Sequence, residues 1–202
     1  MIRIHGHPFS TYTRRVMMAI HEKRIPHEFI TIDMAARKHR DPSYLSFNPY
    51  GRVPLLEEDG FLLFESNAIL SYLEATHPEP ALVPADPKGR ALVDMHLRLC
   101  DIQFSNHVGT IIFPKRFLPK ERWDTAAMAN AKIAIEKHLA IVDQQLAGKE
   151  YMVGNRFSLV EISYGPFLEF LPLLEEPPPA NVAEWARRIM ARPSAEKTKP
   201  AQ

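Results

Sequence analysis

Residues 48–66 hold the densest chemistry in the chain: Asn48-Pro49-Tyr50-Gly51-Arg52-Val53-Pro54-Leu55-Leu56, then Glu57-Glu58-Asp59-Gly60, then Phe61-Leu62-Leu63-Phe64-Glu65-Ser66. This order reads as a loop, a short strand opened by a proline, a tight turn, a second short strand and a helix start. Proline at the first strand position gives up an N–H that the ladder does not need there, and it admits a cis Val53–Pro54 bond. Glu65 and Ser66 place a carboxylate and a hydroxyl where the next helix begins. The first amides of a helix have no intrahelical acceptor, so they form a ready anion site. A backbone able to pair with a peptide, beside a site for its carboxylate, suits a small peptide-like ligand.

The elements around this segment follow from pattern. Residues 2–5 read as a strand, and Pro8-Phe9-Ser10-Thr11 as a turn into a helix with Ser10 or Thr11 as its N-cap. Val16, Met17, Ala19 and Ile20 recur on a helical face up to Lys23, and Ile25-Pro26 stops the helix. Phe29-Ile30-Thr31-Ile32 reads as a second strand, and 35–47 as a basic loop with a short helix. Residues 55–57 and 61–64 form a hairpin about Glu58-Asp59-Gly60, and Ser66 opens a helix carrying Ile69, Leu70 and Leu73. The order is β-α-β-α-β-β-α.

Beyond it the pattern is helical. Prolines crowd 78–87, which reads as a stiff linker. One helical stretch covers 88–117, with Leu92, Met95, Leu99, Ile102 and Phe104 near helical spacing. Others cover 120–146, 158–171 and 182–191, and 196–202 reads as polar and frayed. The expected organisation is an α/β domain over 1–77, a linker over 78–87 and an all-α domain over 88–202.

The bulk numbers exclude several classes. A chain of 202 residues with 46% hydrophobic and 24% charged residues is ordinary for a soluble globular protein. A net charge of +1 gives nucleic acid and anionic lipid no general attraction, and the apolar runs are too short for a membrane span. Cys100 is the one cysteine, so no intrachain disulfide forms, and a cytoplasmic location is expected. No metal-ligand spacing, phosphate loop or hydrolase triad order is present, so no metal is expected.

The first half, with its proline at the strand after the second helix, resembles a thioredoxin-like domain. Joined to an all-helical half by a proline-rich linker, the chain resembles a cytosolic glutathione transferase. The resemblance covers nearly the whole chain. It is carried by Gly6-His7-Pro8-Phe9-Ser10-Thr11-Tyr12-Thr13-Arg14-Arg15-Val16, by Asn48-Pro49-Tyr50-Gly51-Arg52-Val53-Pro54, by Phe64-Glu65-Ser66 and by Phe157-Ser158-Leu159-Val160-Glu161-Ile162-Ser163. Each motif is weak alone; their joint order and spacing are specific. The first stretch is nearest the serine-type enzymes, above all the phi class, with theta more distant.

That resemblance implies glutathione as co-substrate and a hydrophobic electrophile as the second substrate. A free thiol has a pKa near 8.5, and lowering it by about 2 units takes about 2.7 kcal/mol of thiolate stabilisation. Ser10 stands at the family's catalytic-serine position. On the residues alone it is a plain N-cap; by resemblance its hydroxyl donates to the sulfur, with Thr11 as a possible assistant. Val53 would pair its backbone with the cysteinyl unit beside Pro54. Glu65 and Ser66 would hold the γ-glutamyl end, and His39 and Arg40 the glycine carboxylate. On the residues alone these last two are a solvated basic loop. Arg52 stands where relatives often carry glutamine or lysine, and it still donates hydrogen bonds. Phe9, Tyr12, His107, Ile111, Phe113 and Phe117 are the candidates for the electrophile site, although an apolar helical stripe is more often core. Ser158 and Glu161 form a capping box and read as folding chemistry. The implied activity is thioether formation, with peroxide reduction or dehalogenation from the same thiolate; the alternative is a non-catalytic glutathione-binding or scaffold protein. A homodimer is implied, with Tyr50 and the first long helix as possible contributors.

Overall fold

The first strand, β1 (Ile2–Gly6), is the hub of the N-terminal half. The structure, a computed structural model, describes residues 1–200. β1 lies between β2 (His27–Thr31), which runs parallel to it, and β3 (Leu55–Glu58), which runs antiparallel; β4 (Phe61–Phe64) closes the order β2-β1-β3-β4. Strand β2 begins two residues before the expected Phe29. The β3–β4 turn has positive φ at Asp59 (49°) and Gly60 (86°), which suits a two-residue hairpin. On one face of the sheet the side chains of Arg3 and His5 reach Glu57, at 3.0 and 2.8 Å. Helices α1 (Thr11–Lys23) and α3 (Ser66–Thr76) pack together and bury Val16, Met18, Ile20, Ile69, Leu70 and Leu73. A short helix, α2 (Pro42–Leu45), sits in the long β2–β3 connection.

Register decides which loops meet. His5 pairs with Leu55, Leu55 with Phe64, and Gly6 with Thr31. The ends of β1, β2 and β4 and the start of β3 therefore lie at one end of the sheet. The residues just beyond these ends belong to the loop into α1, the 32–40 loop, Val53–Pro54 and Glu65–Ser66.

The chain divides into two units. The first runs from Met1 to Leu82 and is rejoined by the segment beginning at Pro193; the second is Val83–Arg192. Inside the first unit Lys23 is buried, and its ammonium is held by Glu74 Oε2 (2.6 Å), His77 O (2.7 Å) and Pro80 O (2.9 Å). Where the sequence reads a polar, frayed 196–202, α9 (Pro193–Lys197) packs on α1, with Ala195 fully buried and Ser194 bonded to Glu22. Apolar burial on α1 outweighs the polarity of the segment. Ala201 and Gln202 lie outside the described residues.

The second unit is all helical: α4 (Pro87–Leu99), α5 (Asn106–Phe117), α6 (Thr125–Leu146), α7 (Leu159–Leu168) and α8 (Ala180–Met190). Phe104, Tyr164, Phe167 and Trp185 form its buried aromatic centre. The helical stretch expected over 88–117 runs on from α4 to α5 through a π-helical segment, Cys100–Ser105. The buried residues of α4 are Gly89, Val93, His96 and Leu97, whereas Leu92, Met95 and Ile102 are exposed. Periodicity alone does not say which of two apolar stripes a helix buries. Thus an α/β unit and an all-helical unit follow one another as expected, with the return of α9 as the departure.

Candidate functional site

Ser10 caps α1. Its backbone is extended (φ −80°, ψ 118°), and its Oγ accepts from the Thr13 amide at 3.3 Å. A hydroxyl has one hydrogen and two lone pairs. Among the described residues no acceptor takes the Ser10 hydrogen. Ser10 is half-buried, whereas Thr11 is 6% exposed, which leaves Ser10 as the reachable hydroxyl of the pair. Gly6 lets the loop close: a Cβ there would stand 2.5 Å from Thr13 Cγ2.

The 48–54 loop is held from within. The Arg52 carbonyl accepts from Tyr44 Oη (2.8 Å) and Asn48 Nδ2 (2.9 Å), and Asn48 Oδ1 accepts from the Tyr50 amide (3.1 Å). Burial pushes the Tyr44 hydroxyl up to about 12, so it remains a donor at ordinary pH. The Val53–Pro54 peptide is cis. The paired residues of β3 begin at Leu55, so Val53 stands outside the ladder. Its backbone can pair with an extended peptide. The Arg52 side chain is exposed.

The start of α3 differs from the starts of α1, α4, α6 and α7. Ser10, Asp86, Asp124 and Ser158 each lend a side-chain oxygen to the first turn of α1, α4, α6 and α7. At α3 the cap residue is Glu65, with φ 72° and ψ 108°, and it makes no side-chain cap bond. The first amides of α3 are left for an external anion. Ser66 is 5% exposed, and its Oγ accepts from Arg15 Nη1 at 3.2 Å. Glu65 is exposed beside it.

His39 and Arg40 lie in a 3₁₀ turn, Lys38–Arg40. Arg40 Nη1 donates to Tyr50 O at 3.2 Å, which ties this turn to the 48–54 loop. The same tie needs a glycine: Gly51 has φ +56°, and a Cβ there would stand 2.7 Å from His39 O. His39 Nδ1 is buried without a hydrogen-bond partner among the described residues. Burial, then Arg40 and Arg37, hold its imidazole below the ordinary histidine range, so it is neutral at neutral pH and Arg40 supplies the charge.

At this end of the sheet the fold thus gathers Ser10, Val53–Pro54, Glu65–Ser66 and the His39–Arg40 turn. Together they offer a hydroxyl hydrogen, a strand-like backbone, an uncapped helix start and a cation. A short extended peptide with a carboxylate at each end matches that set, and the orphaned His39 Nδ1 is one further group for it to satisfy. Sequence reasoning missed Arg15. The signal for it was a pair of arginines in a helix that is otherwise buried: Arg14 and Arg15 are 2% and 0% exposed.

The candidates for a second substrate are divided between the units. In the first, Phe9 is exposed and lies against His7 (5.7 Å), and Tyr12 lies under the Arg15 guanidinium (5.1 Å). In the second, Phe113 and Phe117 are exposed and pack on one another at 5.5 Å, and His107 is half-buried. Ile111 departs from the expectation: at 3% exposed it is packed core, because it lies on the face of α5 that carries Val108 and Ile112 inward. Among the described residues no three His, Cys, Asp or Glu side chains stand close enough to hold a metal ion, and no helix is long and apolar enough to cross a membrane.

Two family models match the chain: the N-terminal domain of glutathione S-transferases over residues 4–81 and the C-terminal domain over residues 125–188. A glutathione S-transferase of Silene vulgaris is 36% identical over 98% of this chain and 96% of its own length. The crystal structure of glutathione transferase F2 from Populus trichocarpa superposes with a TM-score of 0.89 at 26% identity, covering 98% of this chain and 97% of that one. A glutathione transferase homologue from Sulfitobacter, solved with bound glutathione, shares the fold with a TM-score of 0.85 at 23% identity, over 98% of this chain and 97% of its own.

Proposed function

Since the chain belongs to the glutathione S-transferase family, in its phi class, we propose that it binds glutathione at the sheet end described above and transfers its thiolate to a hydrophobic electrophile. The γ-glutamyl carboxylate sits on the first amides of α3 and the Ser66 hydroxyl, with Glu65 on the amino group. Val53 pairs with the cysteinyl unit, and His39 and Arg40 take the glycine carboxylate. Arg52 borders the tripeptide from solvent. Ser10 donates its hydroxyl hydrogen to the sulfur, and the positive end of α1 adds to the stabilisation of the thiolate. The thiolate attacks an electrophilic carbon, the carbon–sulfur bond forms, and the leaving group departs with its electron pair.

The observation that carries this reading is the state of Ser10: its oxygen is engaged by the Thr13 amide while its hydrogen has no acceptor among the described residues. The cap and the catalytic donor are therefore the same group in two roles. For the electrophile, Phe113 and Phe117 on α5 of the second unit and Phe9 in the first are the exposed aromatic side chains. The chain acts in the cytoplasm as a homodimer. Support for the dimer is the exposed apolar set Leu92, Met95 and Ile102, with Tyr50 at 64% exposed.

The test is the near-ultraviolet absorbance of bound thiolate across pH, in wild type and Ser10→Ala. The variant is expected to raise the bound thiol pKa by about 1–2 units, the worth of a hydrogen bond to a charged group. An unchanged thiolate signal with unchanged turnover refutes the role of Ser10. Binding of glutathione with no turnover across an electrophile panel returns the chain to the non-catalytic reading.

A further inference from the structure

We propose that Arg15 is a positioning residue: from inside α1 it holds the Ser66 hydroxyl as a one-way donor to the γ-glutamyl carboxylate of glutathione. This rests on the reading of Glu65 and Ser66 as the γ-glutamyl subsite.

Arg15 is fully buried, which a guanidinium tolerates only when acceptors meet it. One of them is Ser66 Oγ, 51 residues away in sequence and 3.2 Å away in space. The direction of that bond is not open to choice. A guanidinium carries donors only, so it takes a lone pair of the hydroxyl, and the hydroxyl hydrogen must turn away from the cation. Ser66 is the first residue of α3, and this bond to Arg15 is its only side-chain hydrogen bond among the described residues. Its hydrogen is therefore presented together with the uncapped amides beside it. The Tyr12 ring, 5.1 Å from the guanidinium carbon, limits how far Arg15 can swing.

Without Arg15 the Ser66 hydroxyl rotates among its staggered positions, and in some of them its lone pairs face the incoming carboxylate. This effect acts on a ligand's carboxylate and leaves the sulfur chemistry at Ser10 alone. Arg15 thus sets the preference for a γ-glutamyl group over one that lacks the carboxylate.

The experiment compares glutathione with 4-aminobutyryl-cysteinyl-glycine, the same tripeptide without the γ-glutamyl carboxylate, in wild type, Arg15→Gln, Arg15→Lys, Ser66→Ala and Ser66→Ala/Arg15→Gln. In Arg15→Gln the KM for glutathione is expected to rise by about tenfold or more, the loss of a charge-assisted contact, with kcat and the KM for the analogue within about twofold. The double variant is expected to match Ser66→Ala within about twofold, because Arg15 acts through Ser66. Equal losses on both tripeptides, or losses that multiply in the double variant, overturn the proposal. If Arg15→Gln does not fold, Ser66→Ala carries the test: its preference for glutathione over the analogue falls below that of wild type, and Arg15→Lys, which keeps a donor-only cation, retains more of that preference than Ser66→Ala does; an unchanged preference in Ser66→Ala overturns the role. Wild type that turns over neither tripeptide overturns the transferase reading instead, a result distinct from all of these.

Discussion

Ser10 opens α1 in the first unit and Ser158 opens α7 in the second, and both oxygens accept an amide of the first turn, from Thr13 at 3.3 Å and from Val160 at 3.2 Å. Their hydrogens differ. Ser158 donates to Glu161 Oε2 at 2.7 Å and is 2% exposed, so its hydroxyl is fully used within the fold. Ser10 is half-buried and keeps its hydrogen. Glu161 completes the contrast by accepting from Met152 N, Ser158 N and Trp185 Nε1 as well, which locks α7, the preceding turn and α8 together. Even so, burial holds its carboxyl above the ordinary range. A serine at a helix start is thus a folding residue when both of its functions are satisfied internally, and a candidate for chemistry when one is left over.

One substitution made at both places separates these roles. Aspartate caps helices as well as serine does, but it has no hydrogen to give. Ser158→Asp sets a second carboxylate against buried Glu161. It is expected to destabilise the protein by about 3–5 kcal/mol, which is roughly 10 °C in Tm by thermal denaturation. A shift under about 2 °C would show that the capping box is not closed as described.

The second unit should also be the more acid-sensitive of the two. His138 is 7% exposed, its Nε2 is 3.0 Å from Tyr164 Oη, and its ring stacks on Tyr164 beside Phe104. Desolvation, followed by His96 and His107, lowers its pKa from 6.5 to about 4. Above pH 6.5 the imidazole is neutral in both folded and unfolded states and contributes no pH dependence. As the pH falls from 6.5 towards 4, the unfolded chain takes up a proton that the folded one refuses, so stability declines by about 3 kcal/mol in total. Urea titrations across that range should show the loss in wild type and a flatter profile in His138→Gln; identical profiles would remove His138 from the account.

At the other serine, Ser10→Asp should leave Tm within about 2 °C, since the cap survives. Turnover should drop by about 100-fold, because a hydrogen-bond donor to the thiolate is replaced by a negative charge. A stable variant with near-normal turnover would reduce Ser10 to a cap and erase its difference from Ser158.

What could be read without coordinates was local. Val53-Pro54, the Asp59-Gly60 turn, the Glu65-Ser66 helix start and the Ser158–Glu161 box each announce themselves within a few residues, because caps, turns and prolines act over that range. Sheet register then carried two of these signals, Val53-Pro54 and Glu65-Ser66, to one end of the sheet. The unreadable features depend on distant partners. Nothing near Arg15 points to Ser66, and nothing in 193–199 points to α1. The same limit explains α4 and the π-helical stretch after it, where Leu92, Met95 and Ile102 lie near helical spacing yet remain outside the core. For Ile111, the partners across α5 determine that it is packed inside.

The return of α9 to the first unit has a consequence for biosynthesis. A ribosome releases 1–82 long before residue 193, yet α1 lacks part of its cover until Pro193 and Ala195 arrive, and Glu22 lacks Ser194. The unit that carries Ser10 is thus begun first and finished last, with the whole helical unit made in between. The contact that completes it, Ser194 with Glu22, spans 172 residues of chain, the kind of long closure that is slow to form. Stop codons or proteolytic nicks ahead of residue 193 would therefore release chains that contain every glutathione-site residue named above but leave the apolar back of α1 bare, and such chains are the ones a cell's quality-control machinery is built to find.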